Sequence, residues 1–200
     1  MSSFNPYQGW AAPSGTASGS RPSIYGALPF PGPPSNLPTL FAFRFTSFAP
    51  TILNCIVIGP APQSRPYFRI LTDAPMAGVT VFQNAGGNNF ALCQWHRHPE
   101  VEIRGVVPRQ QTRNMLSLTE DQSARTMTAT HANGSTTMTF IPRDNFIWIY
   151  SNAAEPELLG RISRSSTSVT LELTGEAIHI GLLEPVVVAT FLLQCGRTID

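Results

Sequence analysis

The stretch from Leu182 to Cys195 constrains this chain more than any other. It is apolar apart from Glu184, Thr190 and Gln194, and it offers no polar stripe to water. Pro185 suits a first helical turn and Gly196 suits the position just past a helix end. The three valines 186–188 favour a strand locally, but the run is longer than a typical buried strand, which predicts a helix over about 183–195. At ~1.5 Å per residue such a helix is about 21 Å long, short of a ~30 Å hydrocarbon core. Extending it toward Ala177 brings in His179, Gly181, Glu184 and Pro185, which suit a lipid-spanning helix poorly. No transmembrane segment is expected. An apolar helix that does not enter a bilayer must be wrapped on all sides by the rest of the fold.

The wrapping is legible upstream. From Leu40 onward apolar residues recur with period two: Phe41, Phe43 and Phe45 alternate with Ala42, Arg44 and Thr46. Further strands are predicted near 53–58, 67–72, 78–83, 90–98, 100–107, 114–119, 124–130, 136–141, 145–150, 157–163, 168–173 and 177–180. Gly59-Pro60, Asp73-Ala74-Pro75, Gly86-Gly87-Asn88-Asn89 and Gly175 punctuate them. The clearest hairpin runs from Thr126 to Phe140 and turns at Asn133-Gly134. Charged residues make up 12% of the chain, about half the usual share, and low charge with many β-branched residues suits strands. The expected fold is mainly β: a closed antiparallel barrel of about twelve strands around a hydrophobic C-terminal helix, spanning residues 39–200. A core of that size holds together without a metal or a disulfide.

Residues 1–38 differ in kind. They are rich in Pro, Gly, Ser and Ala and carry one charge, Arg21, so they are expected to form a disordered tail. Tyr7, Trp10, Tyr25 and Phe30 are scattered through it, and Pro31-Gly32-Pro33-Pro34 is a minimal P-x-x-P match. Cys55, Cys93 and Cys195 are odd in number and widely spaced, which predicts buried small hydrophobes in a reducing compartment rather than a disulfide framework or a zinc ribbon. Met1-Ser2-Ser3-Phe4-Asn5 lacks the basic and apolar regions of a signal peptide, so an intracellular, cytoplasmic protein is expected. Asn133-Gly134-Ser135 then reads as a turn rather than a glycosylation site. All thirteen basic residues are arginine, and the net charge of +1 gives no general field for nucleic acid, which is not an expected partner.

Four stretches carry a resemblance to a known family. They are Arg65-Pro66-Tyr67-Phe68-Arg69-Ile70-Leu71-Thr72, Ala91-Leu92-Cys93-Gln94-Trp95-His96, Val101-Glu102-Ile103-Arg104-Gly105, and the apolar run Leu182 to Arg197. Over residues 39–197 the chain resembles a fungal, mostly basidiomycete, domain of unknown function with a tubby C-terminal-like fold. The Thr-rich stretch between Gly134 and Trp148 is longer than that pattern. The resemblance implies a twelve-stranded barrel threaded by a hydrophobic helix. Tubby proteins bind phosphoinositides, and plant LURP-one-related proteins and phospholipid scramblases share the fold. None of the tubby lipid-contacting cations is carried over to a residue here, and fold alone does not fix function.

Three constellations could carry chemistry. His96, His98 and Glu102 are imidazole and carboxylate ligands at a spacing similar to the first metal motif of cupins, though Pro99 interrupts the strand and no second motif follows. Glu155 and Glu157 flank Pro156 in a loop, where paired carboxylates are ordinarily just solvated. The pairs Arg65 and Arg69, Arg109 and Arg113, and Arg161 and Arg164 lie near strand ends, and guanidinium suits phosphate. No G-x-S-x-G elbow, P-loop or G-x-G-x-x-G occurs. The expected function is a non-catalytic binding or scaffold module without a cofactor, engaging a phosphoinositide-bearing membrane surface or a protein partner. The alternative is a cupin-like metal-dependent enzyme using His96, His98 and Glu102.

Overall fold

Phe43 and Phe45 are buried while Arg44 between them is exposed, and a similar alternation recurs in β2, β3, β6 and β9. The computed structural model describes residues 38–48, 51–62, 64–72, 78–132 and 134–200. The chain divides into Met1–Asn36 and Leu37–Asp200, and the described residues all fall in the second unit. The tail expected over residues 1–38 lies outside the described residues except for Pro38, as does Asn133 of the expected hairpin turn.

The strands are β1 (Leu40–Thr46), β2 (Cys55–Ile58), β3 (Pro66–Thr72), β4 (Val79–Asn84), β5 (Asn89–Gln94), β6 (Glu100–Ile103), β7 (Val107–Gln111), β8 (Ser117–Leu118), β9 (Arg125–His131), β10 (Gly134–Arg143), β11 (Phe146–Ser151), β12 (Leu158–Arg164) and β13 (Val169–Thr174). Three helices join them: α1 (Thr112–Met115), α2 (Gly175–His179) and α3 (Leu183–Gln194). All thirteen strands form one sheet in the order β7-β6-β5-β4-β3-β2-β1-β13-β12-β11-β10-β9-β8. Every neighbouring pair is antiparallel. Two meanders, β1 to β7 and β8 to β13, are thus stitched together where the first strand meets the last.

The sheet curls around α3. Pro185 through Leu192 are all buried, so every side of the helix is covered. Phe191 meets the inward-facing Phe82 edge to face at 5.0 Å, and Trp95 lies 6.2 Å from the same ring. Two polar groups in this interior are satisfied locally. Thr190 donates to the Val186 carbonyl (2.7 Å), and the buried Thr80 hydroxyl accepts from Trp95 Nε1 (2.8 Å). Gly196 takes a φ of 71° just past the helix, where a side chain would be strained. Cys55 and Cys93 are buried on the inner side, and burial pushes both thiols up to about 12.

The structure corrects the expected closed barrel of about twelve strands. The described residues form thirteen strands, and the run 100–107 breaks at Gly105, whose φ of 70° turns β6 into β7. The ladder is open between β7 and β8. Pro108 in β7 has no N–H to donate, and β8 is only two residues long, so neither edge can sustain a ladder. Of the strand expected at 114–119 only Ser117–Leu118 forms, as β8, and Thr112–Met115 before it is a helical turn at the gap. One backbone bond crosses nearby, from Thr130 N–H to the Val106 carbonyl (3.3 Å). The end of the chain ties the same region: Thr112 Oγ1 donates to the Ile199 carbonyl (2.5 Å), and Arg125 clamps Asp200 through two bonds of 3.0 and 2.7 Å. The strand expected at 177–180 is helix α2. Thr174 caps it by accepting from Ala177 N–H (3.2 Å), and Glu176 suits the positive end of the helix.

Candidate functional site

With α3 filling the inside of the sheet, three hollows among the described residues are bordered by outward-facing side chains. One of about 190 Å³ is bordered by Ile56, Tyr67, Arg69, Gln83 and Asn84. Another, of about 270 Å³, is bordered by Arg44, Thr46, Ile58, Thr167 and Ser168. A third, of about 100 Å³, has Val81, Leu92, Glu102 and Arg104 around it.

The three arginine pairs do not converge. Arg69, Arg109 and Arg161 sit on β3, β7 and β12, four strands apart in each direction, which is roughly 19 Å along the sheet. Most of these side chains already have partners within the protein. Arg161 meets Glu172 across the β12–β13 ladder at 2.5 Å, and its guanidinium lies 4.7 Å above the Phe146 ring and 5.6 Å from Trp148. The hydrogen bond from Glu172 raises the guanidinium above its ordinary value. Arg164 donates to the Gln194 carbonyl (3.2 Å), and Arg113 to Gln111 (2.8 Å). Arg109 pairs with Glu100 at 2.7 Å and also bonds Gln94. Arg65 lies over the Tyr67 ring at 5.5 Å. Of the six, only Arg69 has no hydrogen bond, ion pair or ring contact among the described residues.

The histidines are likewise apart from their expected third ligand. His96 and His98 are exposed in the connection between β5 and β6, whereas Glu102 stands on β6 opposite Leu92. The carbonyl of Pro99 accepts from Thr112 N–H (2.8 Å), which holds the bend between them. Among the described residues no three of His, Cys, Asp and Glu are placed to hold one metal ion. Glu155 and Glu157 are exposed before β12.

The residue that the sequence analysis did not single out is Arg44. It is exposed on β1 opposite Ile58 of β2, while Ile56 of the same strand faces Arg69 of β3. Two cations therefore flank a pair of half-buried isoleucines on one face, two strands or roughly 10 Å apart across the sheet. Leu71, 40% exposed, continues this face along β3. Neither Arg44 nor Arg69 has a partner among the described residues, and the local composition supplies the reason. Before Glu100 the sequence contains five arginines and one carboxylate, Asp73; from Glu100 onward it contains eight arginines and eleven carboxylates. Strands β1 to β5 themselves carry no described acid, and Glu172 of the neighbouring β13 stands directly opposite Arg161 of β12 and is bonded to it. That asymmetry is readable in the sequence and marks this sector.

No family model matches the chain, and no curated protein matches it. It is similar to a protein from Arabidopsis thaliana solved by X-ray crystallography, with 11% identity over 78% of this chain and 92% of that one and a TM-score of 0.40. No described helix is long and apolar enough to cross a membrane.

Proposed function

We propose that this chain is a non-catalytic binding module that meets an anionic, phosphoinositide-bearing membrane surface with the outer face of β1 to β3. One observation carries the reading: Arg44 and Arg69 are exposed and without partners among the described residues, on strands that carry no described carboxylate, while the neighbouring Glu172 of β13, opposite Ala42, is already held by Arg161. A guanidinium already paired with a carboxylate must give up that bond to take a phosphate, whereas an unpaired one need only exchange water. Ile56, Ile58 and the exposed Leu71 lie between and beside the two cations, which suits contact at the boundary between headgroups and acyl chains. The family resemblance points the same way, through a related fold whose members bind phosphoinositides.

Flotation with vesicles tests it. The full chain should float with phosphoinositide-bearing vesicles at low salt and not with neutral ones. Binding should weaken as the screening length falls to ~10 Å near 0.1 M salt. Each arginine near such a surface contributes about 1 kcal/mol, so replacing both Arg44 and Arg69 by Ala should weaken binding by about 30-fold. Equal flotation with neutral and anionic vesicles would refute the proposal.

A further inference from the structure

The β12–β13 hairpin brings a second feature to the same place. Its tip reads Arg164-Ser165-Ser166-Thr167-Ser168. Ser165 and Ser168 are used by the turn itself: Ser165 N–H donates to the Ser168 carbonyl (2.8 Å), Ser168 N–H donates to Ser165 Oγ (3.1 Å), and the two hydroxyls meet at 2.9 Å. Ser166 and Thr167 are exposed at the tip, and their hydroxyls make no hydrogen bond among the described residues. Neither residue has a positive φ, so the turn is not one of the primed types, and its two central side chains project from an exposed tip. Thr167 borders the hollow that holds Arg44, together with Thr46, Ile58 and Ser168. Arg164 stands three residues before Thr167, a charge placement that arginine-directed kinases read with an acidic pocket beside the active site.

We propose that Thr167 is a phosphorylation site and that Arg44 is the receptor for its phosphate. In the transfer, Thr167 Oγ1 attacks the γ-phosphorus of MgATP and a new O–P bond forms. The bond from that phosphorus to the bridging oxygen of the β-phosphate breaks, ADP leaves, and the hydroxyl proton passes to the catalytic carboxylate of the kinase. No group is oxidised or reduced. The phosphate brings a charge of about −1.5 to −2 and three acceptor oxygens to a hollow whose cation, Arg44, has no partner among the described residues. Ser166 is the internal comparison. It is also exposed, but it is not among the residues bordering the Arg44 hollow and has Ser163 rather than an arginine three residues before it. One consequence rests on the membrane reading above. A phosphate on Thr167 takes up Arg44 and places an anion beside the cationic face, so the modified protein releases anionic vesicles.

The experiment incubates the purified full chain with MgATP and the catalytic subunit of an arginine-directed serine/threonine kinase. Mass spectrometry maps the phosphate, and its ³¹P resonance is followed against pH. The expected result is phosphate on Thr167, lost in T167A and slowed in R164A, with a second ionisation at lower pH in the wild type than in R44A, because Arg44 favours the dianion. Absence of phosphate from Thr167, placement on Ser166 instead, or the same titration in R44A would overturn the proposal. Neither readout uses vesicles, so its failure is distinct from a failure of flotation, which bears on the membrane reading alone.

Discussion

Phe191 and Arg161 lie on opposite sides of one curled sheet. Phe191 is fully buried and packs edge-on against Phe82, with no water in reach. Arg161 is part-buried on the outside, where it is held by Glu172 and by two aromatic rings. Burial of the first is non-directional and large, about 1.5–3 kcal/mol for a side chain of this kind before any cavity is counted. The second depends on geometry and stays modest, because water and salt compete for both charges. The inner face is therefore committed to stability, and the outer face is where side chains remain open to partners. Within the outer face the same contrast recurs, since Arg161 is engaged while Arg44 is not.

The largest effects should come from the inner face. Phe191→Ala should cost about 3–5 kcal/mol, through lost transfer energy and a cavity that the wrapped helix cannot collapse, read from chemical unfolding. Leu192→Asp should do worse and abolish recovery of folded protein, because an unpaired carboxylate would replace a side chain that is 2% exposed. If either variant unfolded at the wild-type midpoint, the contrast between the faces would fail.

Outside, Arg161→Ala should cost about 1–2 kcal/mol, as it removes one ion pair and two ring contacts at a site only part-exposed. Denaturant midpoints of the wild type, R161A, E172A and the double variant would isolate the pair. A coupling near zero would mean that the rings alone hold the guanidinium.

The smallest effect concerns the open side of the sheet, and pH sharpens it. The hydrogen bond from Arg125 holds the Asp200 carboxyl below the ordinary carboxylate value. A depressed folded value means that the stabilisation is fully present above the unfolded pKa of about 3.9 and is lost as pH falls through the lower folded value. Asp200 is about half exposed, at 51%, so solvent screening leaves well under about 1 kcal/mol. Asp200→Asn should lower the thermal midpoint slightly at neutral pH, and the gap from wild type should close as pH falls below the unfolded pKa of about 3.9 and through the lower folded value. A gap independent of pH would show that the carboxylate is not the anchor.

How much of this was legible in the sequence differs between the faces for the same reason. Inner-face residues announce themselves locally: the strand from Leu40 to Thr46 and the hairpin around Gly134 follow from period, and the helix ending before Gly196 follows from the length of its apolar run. The helical turns at Thr112 and Gly175 escaped, because a single turn carries little periodicity. The opening between β7 and β8 escaped because closure depends on register across the whole sheet. On the outer face, pairs close in sequence such as Arg161 and Arg164 suggested a shared site, yet each is taken by a partner from another element, Glu172 of β13 and Gln194 of α3. Cross-strand partners follow from register and not from spacing along the chain. Arg44 was obscured by its place in an alternating strand, although the scarcity of carboxylates before Glu100 sets its sector apart.

The most direct measurement of the central claim, that α3 fills the sheet and leaves recognition to the outer face, is the unfolding of a chain truncated after Ile180. Without Leu182, Val186, Val187, Val188, Phe191 and Leu192, the inner faces of the strands have nothing to close on. The account predicts no cooperative transition, with loss of near-ultraviolet signal and exposure of apolar surface to dye. A monomeric fragment that unfolds cooperatively near the wild-type midpoint would contradict it, because the sheet would then hold its shape around an empty interior.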